Sequence, residues 1–336
     1  MHMADALLSP SVGGAMWAVS AGAIAWGSAR LGRESDDRIA PLMGVLGGFL
    51  FAAQMINFSI PGTGSSGHLT GGLLLAILLG PSAAFLTVAS VLVVQALFFA
   101  DGGLLALGCN IFNLGVIPAF IVYPLFYRRL IGRAPGPRRE AAVTLFAALG
   151  AMQLGALCVV LETALSGVSE LPLAKFLALM LPIHLAIGAV EGAVTLAVVS
   201  FLRKARPDLL ARRTRAEASP SLGPFLAAAL ACALLVAGGI SRFASGKPDG
   251  LEWSVAGAAG GAAPVAAHGV TAYLHALQGR LAWFAEYRLP AGGAVAAQQA
   301  GPGAAGVVGT LITLVIVVAV AALLRRAKRG GPAPEA

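Results

Sequence analysis

The chain has 336 residues, of which 58% are hydrophobic and only 11% are charged, and its mean hydropathy is +0.84. Soluble domains carry about 25% charged residues, so this composition excludes a soluble globular protein and indicates a multi-pass membrane protein. The formal net charge of +8 is therefore not a nucleic-acid signal, and the informative question is on which side of the membrane the positive charges lie.

The first ten residues, MHMADALLSP, do not have the pattern of a signal peptide. They lack a basic segment, an apolar core and a small-residue cleavage site. We expect Met1 to be retained, because removal of a start methionine requires a small second residue and His2 is large. The segment therefore predicts a free α-amine followed directly by an imidazole.

Apolar runs after this segment predict nine membrane-spanning helices. They lie at 12–29, 39–57, 69–80, 82–99, 103–126, 141–166, 173–202, 222–240 and 305–324. The stretch 69–99 is predicted to form a short helix, a turn and a second helix, because Gly80-Pro81 interrupts it. A single helix of that length would be about 46 Å long, against a hydrocarbon core of about 30 Å.

The distribution of basic residues tests this span count. Four clusters, which follow the first, fifth, seventh and ninth spans, hold 18 of the 23 basic residues. With nine spans all four clusters lie on one side, whereas a single span at 69–99 would put the first cluster opposite the others. The positive-inside rule thus predicts the N-terminus outside and the C-terminus in the cytoplasm. Loop 58–68 then lies outside, together with Met1 and His2.

A polar, proline-containing segment at 207–221 predicts a cytoplasmic linker. It divides a seven-span module, 1–206, from a two-span domain, 222–336, whose outside loop runs from 241 to 304. The predicted fold is therefore an all-α integral membrane protein with seven helices followed by two more.

The Met-His start offers a preorganised set of three nitrogens. They are the α-amine of Met1, the backbone amide of His2 and Nδ1 of the His2 ring, and one more imidazole completes a plane. Planar four-nitrogen sites suit Ni(II), Cu(II) and related ions, whereas Ca²⁺ and Mg²⁺ prefer oxygen ligands and Zn²⁺ a tetrahedron. The alternative is that His2 is incidental.

His68 is the candidate for the fourth ligand. It lies on the same predicted side, in the loop PGTGSSGH, whose glycines allow close approach to another backbone. The alternative is an ordinary solvated loop histidine. Nearby polar residues are candidates for orienting its ring by hydrogen bonds. They are Asn57, Thr63, Ser65 and Ser66.

The remaining histidines have competing explanations. His184 lies seven residues before Glu191 in the seventh span, so the two share a helix face. They form either a functional pair in the membrane or a buried pair that holds helices together. His268 and His275, in the outside loop, are predicted to be solvated or packing residues.

Motifs for independent chemistry are absent from the sequence. There is no G-x-x-x-x-G-K-[ST] nucleotide loop, no H-E-x-x-H and no G-x-S-x-G. The chain is therefore predicted not to be an enzyme, and partner subunits must supply the energy for any active transport.

Two stretches resemble a known family. MHMADALLSP is similar to an MHIPDGxLSP-type N-terminus, and INFSIPGTGSSGHLTGG to a loop signature, of the substrate-binding (S) components of cobalt and nickel energy-coupling-factor (ECF) transporters, the CbiM/NikM family. The resemblance covers residues 1 to about 205 and implies that Met1, His2 and His68 hold the metal. The chain departs from the pattern at Ala4 and Ala6, and keeps Asp5, which is expected to anchor the N-terminal segment.

A second resemblance lies in the C-terminal domain. KPDGLEWS is similar to the PDGLE motif of the small two-span accessory subunit of these transporters, here fused to the same chain. The resemblance implies that this domain assists metal loading.

The resemblance implies an importer component in the cytoplasmic membrane, with Co(II) or Ni(II) as cargo and no permanent cofactor. The implied partners are a transmembrane coupling (T) subunit and two cytoplasmic ATPases. Small residues in the first span, Ala18, Gly22 and Ala25, are a candidate contact surface. The alternative is an S component for an organic micronutrient such as a vitamin, whose pocket would be rich in aromatic residues, and only 7% of this chain is aromatic.

Overall fold

The computed structural model describes residues 1–33, 36, 38–132, 135–169, 171–210, 221–260, 269–288 and 295–329. Within these residues the chain is mostly helical, as predicted, with one small hairpin. The helices are α1 (Pro10–Leu31), α2 (Ile39–Gln54), α3 (Gly72–Leu79), α4 (Pro81–Phe99), α5 (Leu107–Ile131), α6 (Pro137–Ser166), α7 (Leu173–Ala205), α8 (Gly223–Gly238), α9 (Gly250–Ala258), α10 (Val270–Leu281) and α11 (Val295–Arg329). The antiparallel strands are β1 (Phe58–Ser59) and β2 (Ser66–Gly67).

Six stretches of the described chain are long and apolar enough to cross a membrane. They lie in α4, α5, α6, α7, α8 and α11. Helix α2 is apolar but has only 16 residues, and α1 has 22 residues but is less apolar.

The short helix predicted at 69–80 is present and is shorter still in the structure. Helix α3 has eight residues and is about 12 Å long, which is too short to cross the hydrocarbon core alone. The helix starts only at Gly72, because Gly71 has a left-handed backbone with φ of 71° and belongs to the loop that carries His68. The chain then breaks at Gly80-Pro81, as predicted, with Gly80 at φ of 81° and Pro81 as the first residue of α4.

Helix α5 is widened over most of its length. From Phe112 to Tyr127 its backbone has the π-helical hydrogen-bond spacing, and Pro118 and Pro124 lie within this stretch. Proline has no backbone N–H to donate and disturbs the regular α-helical ladder, which accounts for local widening.

The C-terminal domain packs directly against the first module. Gly44 and Gly48, four residues apart on α2, face α11. A side chain at Gly44 would clash with Val318, and a Cβ at Gly48 would lie 3.1 Å from the carbonyl oxygen of Thr310. Small residues at this spacing let membrane helices approach closely, so the two glycines allow α11 to pack closely against α2.

The loops of the two modules that are predicted to lie outside are also joined. The backbone N–H of Ser66 in β2 donates to the carbonyl of Pro248 at 2.8 Å. The N–H of Ser245 donates to the carbonyl of Asn57 at 2.7 Å. The PDGLE-like stretch therefore lies beside the loop that contains His68. Most of the predicted linker at 207–221, and His268 in the outside loop, fall outside the described residues.

Candidate metal centre

The N-terminal segment is inserted into the helix bundle. Met3 is fully buried, and its N–H donates to Oδ1 of Asn110 at 2.8 Å while its carbonyl accepts from Gly103 at 2.9 Å. Oδ1 of Asp5 accepts from the N–H of Ala106 at 3.0 Å, just before α5 begins. These bonds hold the first two residues in place against the ends of α4 and α5.

The three predicted ligand residues lie together. Nε2 of His68 is 2.9 Å from the α-amine of Met1. The rings of His2 and His68 are stacked, with centroids 5.2 Å apart and an angle of 17° between their planes. Nδ1 of His68 is 3.1 Å from the carbonyl oxygen of Leu69, so a proton on Nδ1 leaves the lone pair of Nε2 facing Met1.

The loop after His68 is fixed by a buried carboxylate. Glu191 of α7 accepts from the N–H of Thr70 at 2.9 Å, from the Thr70 hydroxyl at 2.6 Å and from the N–H of Gly71 at 3.0 Å. The suggested pairing of His184 with Glu191 is therefore wrong. Nδ1 of His184 is 2.8 Å from the carbonyl oxygen of Met180 instead, one turn back on its own helix.

The α-amine of Met1 also contacts the C-terminal domain. It donates to Oδ2 of Asp249 at 2.7 Å, although the two residues are 248 positions apart. The other carboxylate oxygen, Oδ1, accepts from the N–H of Glu252 at 2.8 Å and caps the start of α9. Burial by itself would raise the pKa of Asp249, but the ammonium of Met1 and the neighbouring His68 hold it below its usual range.

The ring of His2 has a carboxylate partner of its own. Nδ1 of His2 lies 2.8 Å from Oδ1 of Asp101, and the hydroxyl of Tyr287 donates to Oδ2 of the same residue. Interaction with His2 and Tyr287 holds the pKa of Asp101 below its usual range, although burial opposes this. Nδ1 is the nitrogen expected to join the chelate. For a planar chelate to form, Nδ1 of His2 must therefore leave Asp101 and bind the ion instead.

The electrostatic surroundings keep His68 neutral. Burial, the ammonium of Met1 and the neighbouring His2 lower the pKa of His68 to about 3. Metal ions bind the neutral form of imidazole, so His68 needs no deprotonation near neutral pH.

Of the four polar residues predicted to orient the His68 ring, three have other side-chain partners, and the side-chain oxygen of Asn57 has none among the described residues. Both ring nitrogens of His68 are occupied, by Met1 and Leu69. The hydroxyl of Ser66 donates to the carbonyl of Lys247 at 2.8 Å and so ties the loop to the C-terminal domain. The hydroxyls of Thr63 and Ser65 bond each other. The four residues are Asn57, Thr63, Ser65 and Ser66.

Sequence reasoning missed Asp101, Asp249 and Tyr287. Asp101 lies between two predicted spans on the predicted outside, a position that could have indicated it.

Within the part of the chain that the structure describes, no three His, Cys, Asp or Glu side chains lie close enough to hold an ion together. The candidate donor set depends instead on the terminal amine and the backbone amide. His275 is exposed on α10, as expected for a residue outside the site.

Comparison with known families decides the assignment of the first module. The family model described as "Cobalt uptake substrate-specific transmembrane region", CbiM, matches residues 2–209. The chain belongs to the CbiM family. A PDGLE domain model matches residues 223–326, so this CbiM-family chain is fused to a PDGLE domain.

Relatives of this CbiM-family chain are named as metal transport proteins. The "Fused nickel transport protein NikMN" of Rhodobacter capsulatus is 31% identical, over 79% of this chain and 82% of that protein. The "Cobalt transport protein CbiM" of Geobacter sulfurreducens is 35% identical, over 76% of each. A crystal structure titled as a truncated transition metal transporter superposes with a TM-score of 0.53 at 29% identity, covering 61% of this chain and 99% of that one.

Proposed function

We propose that this chain is the S component of an ATP-driven ECF importer that captures Ni(II) or Co(II) at the outer face of the cytoplasmic membrane. The observation that carries this proposal is the convergence of the terminal amine of Met1 with the imidazoles of His2 and His68. The names of the relatives, nickel and cobalt transport proteins, support the same cargo.

The proposed donor set is four nitrogens. Met1 supplies its amine, His2 its backbone amide and Nδ1, and His68 its Nε2. On binding, the amine gives up a proton and its bond to His68, and His2 gives up its amide proton and its contact with Asp101. Binding thus releases protons, and the affinity for the ion rises with pH.

The size of the site favours an ion over an organic micronutrient. A cavity lined by Met1, His68, His184 and Asp249 has about the volume of one water molecule. An organic micronutrient such as a vitamin needs a pocket of several hundred cubic ångströms.

The proposed organisation has the N-terminus outside and the C-terminus in the cytoplasm. Residues 1–206 form the metal-binding module, 207–221 the linker and 222–336 the accessory domain. A T subunit and two ATPases drive transport, because the sequence has no nucleotide loop. Ala18, Gly22 and Ala25 are exposed along one side of α1, which supports their proposed role as the surface for the T subunit.

Ion binding by the purified full chain tests the donor set. With an unblocked Met1, isothermal titration should show about one Ni(II) bound per chain. A Gly-Ser extension before Met1, or His2→Ala, should abolish binding, because each removes chelating nitrogens. His275→Ala is the matched control and should bind normally. Unchanged affinity in the extended protein would contradict the proposal.

Competition between Ni(II) and Co(II) in the same titration tests which of the two ions the protein binds more tightly. Nitrogen sites bind Ni(II) somewhat more tightly than Co(II), so we expect nickel to displace cobalt.

A further inference from the structure

The turn between α4 and α5 is held by the PDGLE domain. Nε2 of Gln278, a buried residue of α10, donates to the carbonyl of Gly102 at 2.7 Å and to that of Ala96 at 2.9 Å. The N–H of Phe284 donates to the carbonyl of Phe98 at 3.0 Å. The position of this turn therefore depends on residues of the C-terminal domain.

Asp101 lies in this turn, between Tyr287 and His2. Its Oδ2 accepts from the hydroxyl of Tyr287 at 2.5 Å, and its Oδ1 lies 2.8 Å from Nδ1 of His2. The ring of Tyr287 is itself fixed, because it stacks on Phe99 with centroids 5.0 Å apart and 24° between the planes. The side chain of Asp101 is 25% exposed. Solvent therefore competes for its carboxylate, and the Tyr287 hydroxyl keeps the carboxylate turned towards His2.

Nδ1 of His2 cannot hold Asp101 and an ion at the same time. This nitrogen carries a proton when it donates to a carboxylate and presents a lone pair when it binds a metal. The contact with Asp101 therefore stabilises the ion-free site relative to the ion-bound site. The amine of Met1 faces the same choice between Asp249 and the ion. Two of the four proposed donors are thus claimed by carboxylates that the PDGLE domain either carries or holds in place.

A transport site has to give up its ion as well as capture it. A planar set of four nitrogens binds late divalent ions well, so release needs a group that takes a nitrogen once its bond to the ion has opened. We propose that Tyr287 and Gln278 are positioning residues, which hold Asp101 as a competitor for Nδ1 of His2. The PDGLE domain thereby lowers the affinity for the ion and speeds its release. This inference rests on the proposed function.

The Tyr287 hydroxyl can be tested without a change of charge. Tyr287→Phe keeps the stacked ring and loses only the hydroxyl, so Asp101 should compete less well. We expect this variant of the full chain to bind Ni(II) about three- to tenfold more tightly in isothermal titration, and to release it more slowly into excess EDTA. Gln278→Leu should shift both quantities in the same direction. Tyr273→Phe is the matched control, because Tyr273 lies on the same domain with its side chain 68% exposed, and it should behave as the unmodified protein.

A double variant separates positioning from a general structural effect. In an Asp101→Ala background, Tyr287→Phe should change neither affinity nor release, because the hydroxyl acts only through that carboxylate. The same shift with and without Asp101 would overturn the proposal. Unchanged or weaker Ni(II) binding in a folded Tyr287→Phe protein would overturn it as well.

The unmodified, ion-free protein gives a test that needs no variant. Nitrogen-15 magnetic resonance of histidine-labelled protein should show a proton on Nδ1 of His2, the nitrogen that faces Asp101. A proton on Nε2 alone would contradict the contact and remove the competitor role, while leaving the proposed function standing. Absence of Ni(II) binding by the unmodified chain would remove both.

Discussion

The α-amine of Met1 is held by side chains from two different modules, His68 and Asp249. Met1 is only 5% exposed, so the ammonium and the carboxylate form a nearly buried ion pair. Such a pair is costly to desolvate, and removal of one partner leaves the other charge uncompensated. In the proposed bound state the ion takes over this balance, because it replaces the ammonium proton with its own positive charge beside Asp249.

The protonation state of His68 is a testable consequence of its burial. The pKa of His68 falls from 6.5 to about 3 in the fold. The unfolded chain therefore binds more protons than the folded chain between these values, and the fold loses stability as pH falls through this window. Nuclear magnetic resonance of histidine-labelled protein, assigned with His68→Gln, should show a neutral His68 ring at about pH 5. An imidazolium signal for His68 at that pH would contradict this.

Glu191 is a second testable position. Glu191→Ala removes the acceptor for three buried donors of Thr70 and Gly71, at a cost of about 3 kcal/mol or more. We expect the loosened His68 loop to weaken Ni(II) binding by about 10- to 100-fold in isothermal titration. Glu191→Gln keeps one acceptor oxygen, so its affinity for Ni(II) should lie between that of the unmodified protein and that of Glu191→Ala.

The control for Glu191 is another glutamate, Glu286, whose side chain is 75% exposed. Glu286→Ala should change neither the affinity nor the unfolding temperature. Wild-type affinity in Glu191→Ala would show that His68 does not depend on this carboxylate.

At the scale of elements, α9 reaches α7 only because its first residue has no side chain. A Cβ at Gly250 would lie 2.8 Å from Cδ1 of Ile187 and 3.1 Å from Cε1 of His184. Asp249, immediately before it, is both the cap of α9 and the partner of Met1. The position of α9 therefore sets the position of the Asp249 carboxylate beside the α-amine of Met1.

Gly250→Val tests this contact. The added atoms should push α9 away from α7 at a cost of about 1–3 kcal/mol. Amide hydrogen exchange should then become faster in α9 and at the N-terminal segment. Gly246→Val is the control, because a Cβ there meets nothing within 4 Å. Equal exchange in the two variants would contradict the close approach.

The sequence predicted some parts of the site and not others, for physical reasons. Met1, His2 and His68 could be placed on one side because charge distribution orients the spans. The contact of Asp249 with Met1 could not be predicted, because the pattern of apolar runs does not determine which of the predicted outside loops contact each other. A short helix was predicted at 69–80, but its start was placed three residues too early, since Leu69 and Thr70 extend the apolar run while Thr70 is bonded to Glu191 in the loop.

At the scale of the whole molecule, glycines distinguish two helix surfaces. Gly44 on α2 is covered by α11, whereas a Cβ at Gly22 on α1 would meet nothing within 4 Å. The first surface is used inside the chain, and the second is left uncovered by the residues that the structure describes, as the proposed contact with the T subunit requires.

Gly44→Leu and Gly22→Leu form a matched pair. Gly44→Leu should lower the unfolding temperature, because the leucine displaces α11. Gly22→Leu should keep the unfolding temperature and Ni(II) binding, but reduce co-purification of the T subunit with the chain. Normal co-purification of Gly22→Leu would contradict the proposed surface on α1.

The bond between Met1 and Asp249 has a consequence for the fusion of the two modules. Because both residues belong to one polypeptide, Asp249 meets the amine at an effective concentration on the order of millimolar, whatever the abundance of the protein in the membrane. A separate accessory subunit would reach the same occupancy only by high expression or by a tighter interface. Fusion thus adds to the packing of α11 on α2 in keeping the Asp249 carboxylate beside the amine, and it fixes the stoichiometry of the two modules at one to one.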